Sequence, residues 1–143
     1  MENKKSNIQI IIAYIITAGI FGLLCAIIPP FFLGKLKQQP NYYPFLYWIV
    51  ENSHASTGIL WFLVGIFLGY KQPKIWFIWG IAVMSLFPIL TIYEVIVYPK
   101  SHNLLPFEII MYAVLSVIPF LGSLTGMIIK NKKTKSLITK QSS

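Results

Sequence analysis

Residues 8–28 read IQIIIAYIITAGIFGLLCAII, a stretch that contains no charged side chain. A run of about 20 apolar residues is long enough to cross the hydrocarbon core of a bilayer as an α-helix. Backbone N–H and C=O groups must be paired with one another in hydrocarbon, so a spanning segment of this kind is helical. The sequence therefore predicts a first transmembrane helix at residues 8–28.

Three further apolar stretches have a similar length, and they lie at residues 51–70, 75–98 and 107–129. Proline marks their boundaries: Pro29-Pro30 is expected to end the first helix, Pro73 precedes the third, and Pro106 suits the first turn of the fourth. Pro88 and Pro119 lie inside the third and fourth stretches, where each predicts a kink.

These stretches predict an all-α, polytopic integral membrane protein with one four-helix bundle domain at residues 1–130 and a basic tail at 131–143. The composition agrees, because charged residues make up only 11% of the chain, against about 25% in soluble domains. The first stretch is too long for the apolar core of a signal peptide, and no small-residue cleavage site follows it. Cys25 is the only cysteine, which excludes an internal disulfide and a cysteine-based metal site.

The lysines are distributed unequally between the two sides that this topology creates. Nine precede the first stretch, lie in the 71–74 turn or follow the fourth stretch, whereas three (Lys35, Lys37 and Lys100) fall on the other side. The positive-inside rule then places both termini in the cytoplasm, in a plasma or inner membrane. Charge arranged in this way sets topology, and it is not the basic face of a nucleic-acid-binding protein.

The most informative polar residues gather near the outer ends of the apolar stretches, where they are costly to place. Candidates for a ligand or metal site are Glu51, His54, Glu94, His102 and Glu108. If residues 51–54 are helical, Glu51 and His54 share one face, which Gly58 and Trp61 continue. Glu94 is the residue that most needs a partner, because it lies at the carboxyl end of a helix, where the dipole disfavours an anion.

Several functions fit this cluster. We expect a small membrane protein without catalytic activity, in which the cluster binds a small ligand or partner, or ties the helices together. One alternative is a metal-dependent membrane enzyme, because carboxylate and imidazole groups suit a divalent metal; otherwise no cofactor is expected. Another alternative is a small oligomeric transporter, although no ionisable group lies at mid-depth in any stretch. Ser53 and His54 are neighbours and cannot form a nucleophile–base pair on a helix.

Small residues recur at four-residue spacing in three of the predicted helices, a pattern that lets helix backbones approach closely in lipid. These residues are Ala18, Gly22, Ala26, Gly65, Gly69, Gly122 and Gly126. Their simplest role is packing within the bundle. The expected partners are the bilayer itself and either a second copy of the chain or another membrane protein.

Overall fold

The computed structural model describes residues 2–34, 45–98 and 105–141. Apart from short turns these residues are helical and contain no strand, which confirms the all-α class. The helices are α1 (Glu2–Phe32), α2 (Phe45–Asn52), α3 (Ala55–Lys71), α4 (Trp76–Met84), α5 (Leu86–Val97), α6 (Leu105–Leu115) and α7 (Val117–Gln141), and a 3₁₀ turn at Pro73–Ile75 precedes α4. We call the end at which α3 begins the His54 end, and the opposite one the Lys71 end.

Three helical segments are long and apolar enough to cross a membrane, namely Ile11–Phe32, Pro73–Val97 and Leu105–Leu137. The second comprises the 3₁₀ turn, α4 and α5, and the third comprises α6 and most of α7. Helix α3 is also apolar but shorter, with 17 residues. Membrane association therefore follows from the length and composition of these helices.

The second and third of these segments are each interrupted three residues before a proline. Helix α4 gives way to α5 at Ser85, and α6 gives way to α7 at Ser116. Pro88 and Pro119 lack an N–H, so the carbonyls four residues earlier lose their usual donors and the helix bends there. Each serine hydroxyl donates to a carbonyl of its own helix, Ser85 to Ala82 at 2.8 Å and Ser116 to Ala113 at 2.6 Å.

The first helix does not end at Pro29-Pro30, as the sequence predicted. It continues to Phe32, and the N–H of Leu33 donates to the carbonyl of Pro29 at 3.0 Å. Proline has a φ that suits a helix, and both prolines are buried. Packing against the bundle therefore compensates for the two missing backbone hydrogen bonds.

Helices α3 and α7 meet at backbone distance, and glycine makes this possible. A Cβ added to Gly65 or Gly69 would overlap the carbonyl oxygen of Pro119 or Ser123, respectively. The same holds in the other direction, since a Cβ on Gly122 or Gly126 would overlap a carbonyl oxygen of α3. The four glycines thus form one seam between the two helices, in which small residues permit close packing.

Helix α1 packs against α4 through the other small residues. Ala18 and Ala26 are buried, and a Cβ on Gly22 would overlap the carbonyl oxygen of Val83. The same glycine accepts a hydrogen bond through its carbonyl oxygen from the indole Nε1 of Trp61, at 2.9 Å. Trp61 therefore joins α3 to α1, and its ring meets that of Phe87 on α5 edge to face.

The segment predicted to be a basic tail, residues 131–143, is helical as far as Gln141. Helix α7 continues to Gln141 without a break, and residues 131–137 are exposed. At the Lys71 end the ammonium of Lys130 lies 5.0 Å from the centre of the Tyr70 ring, a cation–π contact between α7 and α3.

Candidate functional site

The partner of Glu94 is a backbone N–H group in the first turn of α2. The carboxylate of Glu94, which is only 5% exposed, accepts the backbone N–H of Leu46 at 2.7 Å. Leu46 is the second residue of α2, where backbone N–H groups have no acceptor within the helix. The positive end of the α2 dipole thus compensates for the unfavourable position of Glu94 at the end of its own helix.

The second predicted helix does not begin at Glu51. Instead α2 ends at Asn52, Ser53 and His54 leave the helix, and α3 begins at Ala55. The side chains of Asn52 and Ser53 donate back to carbonyls of α2, at 2.8 Å and 3.0 Å, which favours a helix end. Glu51 and His54 consequently do not lie on one continuous helical face, and Glu51 is exposed.

His54 is the residue that begins α3. Its backbone is extended, with φ −121° and ψ 172°, and its N–H donates to the Thr57 hydroxyl at 3.3 Å. Thr57 in turn donates its backbone N–H to the carbonyl of His54 at 2.8 Å. This reciprocal pair fixes the position of His54 at the entrance to the bundle.

A cavity of about 270 Å³, which we call the outer cavity, lies directly behind His54. We call its more exposed side, with the polar residues Ser53 and His54, the mouth, and its buried side, with the rings of Trp61, Phe87 and Tyr112, the floor. The remaining lining residues are Val50, Ala55, Thr57, Gly58, Leu115 and Ile118. Gly58 leaves space in it, because a Cβ at that position would meet only Ile118, at 3.6 Å.

Tyr112 lines this cavity and lies near two of the candidate carboxylates, Glu94 on α5 and Glu108 on its own helix α6. Its hydroxyl lies 3.2 Å from the hydroxyl of Thr91, within hydrogen-bond distance. Thr91 precedes Glu94 by one helical turn, and Glu108 precedes Tyr112 by one turn. Both carboxylates are close enough to interact electrostatically with the Tyr112 hydroxyl.

The predicted cluster is thus only partly assembled in the structure. His54 lines the outer cavity, Glu94 and Glu108 are near Tyr112 but do not line the cavity, and Glu51 is not among the lining residues. His102 lies outside the described residues. Within the described ranges, no three histidine, cysteine or acidic side chains are grouped closely enough to hold a metal ion.

A second cavity, of about 370 Å³, lies on the other side of Tyr112. It is bounded by the two helix interruptions at Ser85 and Ser116 and by Pro88. The other lining residues are Ile81, Met84, Ile109, Tyr112 and Ala113. We call it the lateral cleft, because Ile81 and Ile109 are 65% and 42% exposed on the apolar surface of the bundle.

Sequence reasoning missed Tyr112 and Thr91 as parts of the site, although a signal for both was present. Each lies one helical turn from a glutamate that was a candidate, so each shares that glutamate's face. Phe87 carried no such signal, since nothing in its neighbourhood distinguishes it from other apolar residues of the span.

Comparison of the chain with protein-family profiles, with curated proteins and with solved structures finds no match.

Proposed function

We propose that this protein is a non-enzymatic integral membrane protein whose outer cavity binds a small, neutral amphiphile. The arrangement of the cavity wall carries this proposal, because polar groups at the mouth face an aromatic floor. Ligand sites in proteins commonly combine an apolar wall with a few polar groups that orient the ligand. A molecule with one hydroxyl group and an apolar ring or short chain matches that division.

The size and charge of the cavity narrow the class of ligand. Its volume of about 270 Å³ exceeds that of the roughly 150 Å³ cavity that accommodates benzene and is close to the lower end of drug-sized pockets. No lysine or glutamate is among its lining residues. A charged ligand would leave water for an apolar wall without an opposite charge, at a cost of several kcal/mol.

We further propose that α3 also spans the bilayer, giving four spans with both termini in the cytoplasm. At 17 residues α3 has the minimum length for a span, and it packs along α7, which together with α6 forms a segment long and apolar enough to cross. Nine lysines on the side of the termini against three on the other favour this orientation.

The orientation can be tested by cysteine labelling on intact cells. In a Cys25→Ser background, Ser101→Cys should react with a membrane-impermeant maleimide, and Ser142→Cys should react only after lysis. Labelling of Ser142→Cys on intact cells would show that the C-terminus lies outside the cell, and the proposed orientation would be wrong.

Ligand binding can be measured through the fluorescence of Trp61. We suggest a variant that retains Trp61 as its only tryptophan, in nanodiscs, titrated with 4-bromophenol, whose bromine quenches an indole on contact. A matched protein that retains only Trp76, which packs on Phe120 near the Lys71 end, reports nonspecific partition of the probe. We expect saturable quenching of Trp61 and only linear quenching of Trp76.

The cavity itself is tested by a pair of substitutions that introduce the same side chain. Gly58→Leu fills the outer cavity and should abolish saturable quenching, whereas Ala13→Leu on the exposed surface of α1 should leave it unchanged. Linear quenching of equal slope for Trp61 and Trp76 in the otherwise unaltered proteins would refute ligand binding.

A further inference from the structure

The lateral cleft opens towards the apolar surface of the bundle, and the two helix interruptions determine where it lies. Helices α4 and α7, on the Lys71 side of the two interruptions, pack extensively, whereas α5 and α6, on the His54 side, have only slight contact with each other. The bends at Ser85 and Ser116 therefore separate α5 from α6. The cleft is the space that remains between them.

One side chain, that of Tyr112, is common to the walls of the cleft and of the outer cavity. Tyr112 lines both spaces, and its ring packs on Phe87 with 5.6 Å between the ring centres. Only the contact with the Thr91 hydroxyl, at 3.2 Å, holds its hydroxyl group through a side-chain hydrogen bond among the described residues. A rotation of Tyr112 would therefore open a path between the two spaces, and it would break this hydrogen bond and the ring contact with Phe87.

The two serine hydroxyls of the cleft can act only as hydrogen-bond acceptors for a ligand. The hydroxyl protons of Ser85 and Ser116 are already donated to carbonyls of their own helices, so only the oxygen lone pairs remain available. A ligand that brings a hydroxyl proton can bind these oxygens, whereas an ether of the same shape cannot. The cleft therefore favours a hydrogen-bond donor.

We propose that the lateral cleft is the route by which a hydroxyl-bearing amphiphile passes from the bilayer into the outer cavity, with Tyr112 as the gate. This inference rests on the proposed ligand-binding function of the outer cavity. It assigns the ligand to the class of alcohols and phenols dissolved in the membrane, and it gives a role to both helix interruptions.

The two possible routes can be distinguished by one type of substitution at two positions. Ala113→Phe obstructs the cleft, and Ala55→Phe obstructs the mouth of the outer cavity beside His54. Ala13→Phe, at an exposed position on α1 that lines neither space, is the control for added bulk. Stopped-flow quenching of Trp61 by 4-bromophenol in nanodiscs measures the association and dissociation rates in each variant.

If the cleft is the route, Ala113→Phe slows association and dissociation by the same factor and leaves the dissociation constant unchanged. We expect roughly tenfold, which corresponds to about 1.4 kcal/mol of added barrier. Slowing by Ala55→Phe with no effect of Ala113→Phe would refute the lateral route while leaving the ligand site intact. Absence of saturable quenching in the protein without these substitutions would instead refute the ligand site itself.

Two further measurements keep the test decisive if Ala113→Phe does not fold. Tyr112→Phe removes the hydrogen bond to Thr91 and should accelerate both rates by roughly 2- to 10-fold, the change expected for one neutral hydrogen bond. In the protein with Tyr112 intact, 4-bromoanisole, which lacks the hydroxyl proton, should enter more slowly than 4-bromophenol. Unchanged rates in Tyr112→Phe together with equal rates for the two probes would overturn the proposal.

Discussion

Replacing Glu94 by alanine removes the acceptor that holds the first turn of α2 against α5. The bond from the Leu46 N–H to the Glu94 carboxylate is 2.7 Å long and buried, and hydrogen bonds to charged groups contribute about 1.5–3 kcal/mol. We take about 2 kcal/mol as the loss. This corresponds to a roughly 30-fold increase in the population of the open form of α2, since each 1.36 kcal/mol is a factor of ten.

Hydrogen–deuterium exchange of the segment 45–52 measures this population directly, because exchange of a protected amide follows local opening. We expect the Leu46 amide to exchange roughly 30 times faster in Glu94→Ala. Glu94→Gln keeps an acceptor oxygen without the charge. Because charge-assisted bonds are about twice as strong as neutral ones, the loss of stability of α2 in this variant should be about half of that in Glu94→Ala.

The control is Glu51→Ala, which removes an exposed carboxylate from the opposite end of the same helix. Its effect on exchange at Leu46 should correspond to less than about 0.5 kcal/mol, as is usual for surface substitutions. Equal exchange at Leu46 in Glu94→Ala and in the unsubstituted protein would show that the carboxylate does not hold α2. The reasoning would then be wrong.

Two further matched pairs test the packing of the bundle through the free energy of unfolding in detergent. Gly65→Ala places a Cβ against the carbonyl of Pro119 and should destabilise by about 1–3 kcal/mol, whereas Gly58→Ala, which meets only Ile118, should be close to neutral. Trp61→Phe removes the indole N–H that donates to the Gly22 carbonyl and should cost about 0.5–1.5 kcal/mol. Trp79→Phe should cost less, because the buried indole N–H of Trp79 has no acceptor among the described residues. Equal losses of unfolding free energy in the two glycine variants would contradict the close contact at Gly65, and equal losses in the two tryptophan variants would contradict the hydrogen bond of Trp61.

Much of the fold is predictable because its determinants are local. A long apolar run without charge specifies a helix through the properties of the bilayer alone, and the helix interruptions lie close to Pro88 and Pro119 because proline lacks an N–H. The close approach of α3 and α7 agrees with the spacing of their glycines. In each case the information lies within a few neighbouring residues.

The candidate site is less predictable, because its contacts join distant parts of the chain. Glu94 meets a backbone N–H that lies 48 positions away, and a backbone donor has no signature in the sequence. The separation of Glu51 from His54 does have a local signal in the sequence. Asn52 and Ser53 favour helix ends, since their side chains compete for backbone carbonyls.

The seam of four glycines has a mechanical consequence for the whole bundle. Where two backbones touch directly, no side-chain rotamer is available to absorb a displacement, so α3 and α7 are expected to move as one rigid body. The interruptions at Ser85 and Ser116 leave α5 and α6 as the elements that can pivot. A structural change on ligand binding should therefore be confined to the His54 end, and the lysine-rich end of α7 should not move.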